Sequence, residues 1–415
     1  MKLSNLRLEH NYPYRYGKPQ ARVVCDMEAG FTPVKEFYFC VDEEYADWLT
    51  TESYDAFLVA ALYPAMYFHE NLEIDGPVSK KLLRNINHYI QAIIKDYEPK
   101  SDYIEITASK EAPPNFLHDS KQHVGTGFSG GVDSFSTLHD NFFSETDPDY
   151  KVDTLFFFHV GQYGHGYNNP KTWERAINRF QITKDFANEV GLNSIFMNTN
   201  MFEFYLPVWE YDAGVFCRIA SVLVFQKVLK RYYISNGVSY AELRRMNFED
   251  HHVDLAEYTD PILMPLLSPE GCDIICDGAQ YLRTEKISRI AKLPIVQKHL
   301  NVCVNASDNC VTATNCSLCP KCLRTLMTIE SAGMLDQFSG VFNLDEWRKH
   351  SFGYKCMQVA RYHTDLFAQD NVDYARKMGS PLPSCIVANL YMKALWLRRL
   401  PGRLKRKIIG ILSVK

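Results

Sequence analysis

Apolar positions recur along the chain with two different periods. Near the N-terminus, residues 23–27 and 37–41 are rich in β-formers, and Gly30 and Pro33 punctuate the connection between them. Residues 54–66 then form an apolar helical run. Leu82, Ile86, Ile90, Ile93 and Ile94 fall on one face of an amphipathic helix over 82–94, with Ser79 placed as its N-cap. Ala112-Pro113-Pro114 reads as a linker, and the pattern changes after it. Short apolar strands at 123–128, 152–160, 195–198 and 232–235 alternate with helical stretches. The first helix carries Phe135, Leu138 and Phe142, the second runs over 172–190 to Gly191, and the third over 213–229. This alternation predicts an α/β fold, a doubly wound parallel sheet with right-handed crossovers. Ligands of such sheets bind at the carboxyl edge of the strands. On that edge stand a glycine-rich loop over 161–166 and the Asn236-Gly237 turn.

Length and composition narrow the class. The 415 residues are enough for two or three domains with their own cores. An apolar content of 46% and an aromatic content of 13% fit a globular protein, and a net charge of −4 argues against nucleic-acid binding by the whole chain. No stretch approaches the length of a membrane span, and the start MKLSNLRLEH lacks the apolar region of a signal peptide. The expected compartment is the cytoplasm, where twelve cysteines read as reduced thiols and metal ligands. His69-Glu70, the one tempting pair in the first hundred residues, reads as a surface polar pair.

The sharpest chemistry lies in Ser129-Gly130-Gly131-Val132-Asp133-Ser134, at the predicted turn from strand to helix. Two glycines permit positive φ and leave the backbone N–H groups unobstructed. A helix start favours an anion there. Ser129 and Ser134 add hydroxyls, and Asp133 can hold a magnesium ion bridging phosphate oxygens. The run is a phosphate cradle, but not of the Walker type, because no lysine follows. A cation must come from elsewhere. Arg283, Lys286 and Arg289 share one helical face and can supply it; ordinary solvated helix charge is the other reading. Arg218, set among apolar neighbours, reads either as a phosphate or substrate ligand or as a paired arginine.

A Ser-Gly-Gly-x-Asp-Ser run resembles the signature of the PP-loop ATP pyrophosphatases. The resemblance implies an adenine-nucleotide α-hydrolase-like sheet, ATP and Mg2+ as ligands, and splitting of ATP between its α and β phosphates. It places Ser129, Gly130, Gly131, Val132, Asp133, Ser134, Arg218 and Arg283 at the nucleotide, and makes Asp133, Ser134 and Lys286 the catalytic set.

Cys316, Cys319 and Cys322 stand at two successive C-x-x-C spacings, which direct thiolates at one tetrahedral Zn2+ ion. Either Cys303 or Cys310 can complete the set. This motif, together with the phosphate loop and the strand ending in Gly161-Gln162-Tyr163-Gly164, resembles the 7-cyano-7-deazaguanine synthases. In that pattern the fourth cysteine follows a short strand, which favours Cys303. The resemblance covers about residues 120–335. It implies adenylation of a small-molecule carboxylate and attack by ammonia or an amine; a separate glutaminase as ammonia source belongs to the first of the alternatives that follow. Two alternatives stay open: an amidotransferase acting on a sugar or surface-polysaccharide precursor, and a non-catalytic nucleotide-binding zinc scaffold.

The expected organisation is an accessory α+β domain over 1–114, the ATP-binding domain over 115–300, a zinc segment over 301–335, and a helical region over 336–415. From Tyr374 onward there is no acidic residue, whereas ten lysines and arginines appear. This basic, apolar tail suits a membrane surface, nucleic acid, a partner protein or simple packing on its own domain, and an oligomer is a separate possibility for the chain.

Overall fold

The computed structural model describes residues 1–13, 18–112, 122–161, 169–208, 214–245, 255–303 and 315–399. The expected linker prolines Pro113 and Pro114, the stretch 162–166, Cys310 and the tail beyond residue 399 lie outside them. The chain forms two compact units, Met1–Gln280 and Tyr281–Lys415.

The first unit is built on one sheet of ten strands. In chain order these are β1 (Lys2–Tyr12), β2 (Gln20–Glu28), β3 (Glu36–Asp42), β4 (Leu72–Val78), β5 (Ile106–Glu111), β6 (His123–Gly127), β7 (Thr154–His159), β8 (Asn193–Thr199), β9 (Leu229–Ser235) and β10 (Asp273–Asp277). Their spatial order is β10-β9-β6-β7-β8-β3-β2-β1-β4-β5. From β8 to β10 every pair is parallel. Counted from β6, that half has the order 3-2-1-4-5 of a doubly wound sheet, whose switch point lies between β6 and β9. All four strands expected in this half form, because each is a short β-prone run that a parallel sheet buries on both faces. The fifth, β10, carries the polar ends Asp273 and Asp277 and gave no comparable pattern.

The first hundred residues do not stand apart as an accessory domain. β3 pairs antiparallel with β8, so that Phe39, Cys40 and Val41 face Thr199, Asn198 and Met197. Tyr38 N donates to Asn200 Oδ1 at 3.0 Å, and Asn200 Nδ2 donates to Glu36 O at 2.8 Å. The sheet thereby continues through β3, β2, β1, β4 and β5, and the division between units falls after Gln280 rather than near residue 114. The physical reason is shared burial. Phe37 and Phe39 meet Phe57 of α1 (Asp55–Tyr67), and Phe37 meets Phe204 of α6 (Met201–Tyr205; helices are numbered in chain order), in one continuous core.

The helices between β4 and β5 are α2 (Lys80–Asn85) and α3 (Gln91–Tyr97), joined through a wider π turn over Ile86–Ile90. The expected apolar face survives that turn: Leu82, Ile86, Ile90 and Ile94 are all buried. Ser79 Oγ accepts from Leu82 N at 3.0 Å, as a cap should. His69 takes a left-handed φ of 58°, and Glu70 Oε1 accepts from Gly30 N, both in a surface turn. In the parallel half, α4 (Val132–Leu138) follows β6, α5 (Pro170–Val190) follows β7, and α7 (Gly214–Leu223) precedes β9. Gly191 closes α5 in the left-handed region at φ 74°. The helix expected over 213–229 ends at Leu223. Beyond it Val224 O accepts from Thr50 N and Val228 O from His123 N, each at 2.7 Å, and Leu229 begins a strand. Helices α8 (Tyr240–Arg245) and α9 (Leu255–Leu266) complete this unit.

The second unit is helical: α10 (Arg283–Ile290), α11 (Pro294–His299), α12 (Pro320–Ser331), α13 (Leu344–Ala360), α14 (Leu366–Lys377) and α15 (Cys385–Arg399). None of the described helices is long and apolar enough to cross a membrane.

Asp55, fully buried in the first turn of α1, couples the two halves of the large sheet. Its carboxylate accepts from Ser79 N at 2.8 Å and Gln226 Nε2 at 3.1 Å. Burial nevertheless outweighs these bonds and pushes its carboxyl up to about 6. A carboxyl raised in the folded state binds protons that the unfolded chain has already lost. Its contribution is therefore complete below about pH 4 and is lost as pH rises through about 6, on the order of 3 kcal/mol in total. Asp55→Asn keeps the acceptor for Ser79, and a flipped Gln226 amide keeps the other bond. Urea unfolding at pH 4.5 and 7 should show a shallower loss of stability for the variant than for the parent chain; equal slopes would refute this assignment.

Candidate functional site

The Ser129–Ser134 loop leaves the carboxyl end of β6 at the switch point. β6 is wedged tightly: a Cβ on Gly125 would come within 2.7 Å of Phe156 and 2.9 Å of Tyr232. Thr126 Oγ1 donates to Tyr233 O at 2.8 Å, fixing β6 to β9 from within. The chain then turns through Gly130 at φ 73°, a left-handed angle that favours glycine, and Gly131 becomes the N-cap of α4. Ser129 Oγ accepts from Gly131 N at 3.3 Å, and Ser134 Oγ donates to Gly131 O at 3.1 Å. The two hydroxyl oxygens lie 3.4 Å apart. Thus Ser129, Gly130, Gly131 and Ser134 close into one small ring of backbone and hydroxyl groups. Val132 is fully buried and anchors the loop, whereas Asp133 is the partly exposed acid of the first helical turn.

Behind this loop stands a polar brace that the sequence reading missed. Thr137 Oγ1 donates to Asp277 Oδ2 at 2.6 Å. Its single proton is thereby used, so Ser235 Oγ, 2.9 Å away, is the donor to Thr137. Asn236 N donates to Asp277 O at 2.8 Å, and Asn236 Oδ1 accepts from Val238 N at 2.7 Å, making the expected turn. Thus α4 is tied to the end of β10 through a buried bond and to the end of β9 through a partly buried one. Asp277 was hidden because one aspartate at the end of a strand of mixed burial has no local signature.

Arg218 is a paired arginine. It projects from α7, where one terminal nitrogen donates to both oxygens of Asp260 at 2.8 Å and Nε donates to Gly214 O at 3.3 Å. Asp260, on α9, is fully buried, so the pair holds α7 against α9. The guanidinium remains partly exposed. Arg283 and Lys286 fall in the first turns of α10, in the second unit, and both are buried; they do not form a solvated face. Arg289 lies over the Tyr281 ring at 3.9 Å. A surface concavity of about 830 Å³, lined by residues such as Lys2, Glu28, Lys35 and Glu73, contains none of these candidate site residues.

The second unit brings its cysteines together. The sulfurs of Cys303, Cys316, Cys319 and Cys322 all lie within 4.8 Å of one another. Cys316 and Cys322 are 3.8 Å apart, and Cys319 and Cys322 are 3.4 Å apart, far beyond a disulfide bond. Ser317 adopts φ 59°, and the knuckle returns Cys319 N to Cys316 Sγ at 3.3 Å. Cys319 caps α12, receiving Cys322 N at 3.5 Å. Cys303 is delivered by Asn315, another residue without a local signal. The buried Asn315 amide accepts from Val302 N and Cys303 N, and donates to Leu300 O and Val341 O. Burial first, and then the neighbouring thiols, push the Cys303 and Cys322 thiols up. As thiolates, four sulfurs this close would repel one another, and a bound cation would offset that repulsion. The donor set can hold a metal ion such as zinc, in the closed all-sulfur form of a structural site.

Compared with family models, with curated proteins and with solved structures, the chain matches none.

Metal analysis of the purified full chain should find roughly one zinc per chain, the stoichiometry of a single four-sulfur site. Cys319→Ser should lose most of that metal and lower the melting temperature of the second unit. A metal-free parent chain, or full metal retention in the variant, would contradict the site.

Proposed function

We propose that this chain is an ATP-dependent adenylating enzyme of the PP-loop type, similar to 7-cyano-7-deazaguanine synthase, with a structural zinc site. One observation carries the reading: the Ser129–Ser134 loop leaves the first strand of a 3-2-1-4-5 parallel sheet at its switch point, where such sheets bind nucleotides. The four-cysteine cluster supports it as the second part of the same resemblance.

In the proposed reaction a carboxylate oxygen of the substrate attacks the α-phosphorus of ATP. The bond from that phosphorus to the α–β bridging oxygen breaks, giving an acyl-adenylate and pyrophosphate. Ammonia or an amine then attacks the acyl carbon and expels AMP, forming an amide and releasing a proton. Charge grows on the pyrophosphate as it leaves. The backbone N–H groups at Gly130–Val132 and the hydroxyls of Ser129 and Ser134 are the groups of this loop that can bind it. They stand preorganised by their mutual bonds and by the Thr137–Asp277 brace. Asp133 would hold the magnesium ion, which supplies charge neutralisation on the phosphates. Zinc at Cys303, Cys316, Cys319 and Cys322 would supply a cross-link and no open coordination position.

The decisive assay is pyrophosphate release from ATP and Mg2+, with and without 7-carboxy-7-deazaguanine and ammonium. Release should depend on the carboxylate. Asp133→Ala should lower it by at least a hundredfold while leaving the circular dichroism spectrum unchanged. Undiminished turnover in that variant would sink the assignment. Release with another carboxylate, but not this one, would keep the adenylating chemistry and exclude the deazaguanine substrate.

A further inference from the structure

The last described helix carries several of its large apolar residues on the outside. Of the α15 residues with described side chains, Ala388 alone is buried. Ile386 is 73% exposed, Leu390 61% and Trp396 55%, and Val387 is exposed as well. The helix is nevertheless held in place. Tyr391 lies against Gly353 of α13, where a Cβ would come within 2.5 Å of its hydroxyl, and its ring meets Phe352 edge-on at 5.7 Å. A soluble helix normally turns such residues inward. Here they face outward on an anchored helix, and Phe352 of α13, 54% exposed, extends the same apolar surface.

Charge names the partner. The chain as a whole carries −4, but from Tyr374 to the end it has ten basic residues and no acidic one. Lys393 and Arg398 lie on α15 itself, and Arg403, Lys405, Arg406 and Lys407 follow in sequence. Basic residues beside exposed aliphatic and Trp side chains form the composition that lies in the interface of an anionic bilayer. Nucleic acid would engage the basic groups through phosphate but would leave Ile386, Val387 and Leu390 in water. We infer that α15 and the basic segment after it dock the protein onto anionic lipid. The aliphatic residues enter the interfacial region while the lysines and arginines meet the headgroups.

The test is flotation of the full chain with vesicles of phosphatidylcholine alone and of phosphatidylcholine mixed with phosphatidylglycerol. The protein should float with the anionic vesicles at least tenfold more than with the neutral ones. Leu390→Glu combined with Trp396→Glu should reduce that binding at least tenfold, and so should Lys405→Glu with Arg406→Glu and Lys407→Glu. Both variants change exposed or terminal positions, and unchanged circular dichroism and metal content would confirm that they fold. Absence of binding, or equal binding to both vesicle types, would overturn the inference. Full binding by the Leu390/Trp396 variant would overturn it too, since a purely ionic contact is what nucleic acid would also make. So would a parent chain that sediments as a dimer and becomes a monomer in that variant, because a second copy would then cover the face. Pyrophosphate release needs no part of this surface, so failure here leaves the adenylating reading untouched.

Discussion

The parallel half of the first unit depends on how little room its central strand, β6, has. β6 is five residues long and pairs on both sides, with β7 and with β9. Gly125 lets the Phe156 and Tyr232 rings lie across it, and Thr126 closes its polar side chain onto the neighbouring backbone. A thin strand between large aromatic rings is rigid, because interiors are close-packed and side chains cannot yield on one side without loss on another. The loop after β6 inherits that rigidity. Its geometry is then completed by α4 below and by the Thr137–Asp277 contact behind. For the function proposed above this rigidity matters, since groups that bind a leaving pyrophosphate must stand in place before charge develops.

The second unit solves a different problem. There residues 300–303 must be held beside the start of α12, and a side-chain amide and sulfurs do the holding. Asn315 satisfies backbone groups on both sides of the knuckle, while the four thiols offer one closed donor set. A buried polar group this fully bonded specifies a single arrangement. The site therefore organises the start of α12 and the approach of residues 300–303 together.

Local patterns made much of this architecture legible. β6, β7, β8 and β9 announced themselves through composition, Ser79 through its place before Leu82, and the cysteines through spacing. What stayed hidden was non-local. The carbonyls of Val224 and Val228 end α7 because Thr50 and His123 claim them, and nothing within 213–229 encodes those partners. The same holds for β3 and β8, two ordinary strands whose pairing merges the expected accessory region with the sheet. Nothing near Arg218 in the sequence names its partner, Asp260, which is distant in sequence and wholly buried. Arg283 and Lys286 left two readings open, a cation for the loop or ordinary solvated charge, and the fold, which buries both, removes the second.

The seam between β3 and β8 also sets a timetable. Phe39 and Thr199 are partners, yet a ribosome adding residues at about 5–20 per second makes the second roughly 8–32 seconds after the first. During that interval β3 has β2 along one side and an open row of amides and carbonyls along the other. Phe37 and Phe39, meanwhile, await Phe204 and the rest of their shared core. The nascent chain must keep that edge from pairing with strangers until the middle of the protein has been made.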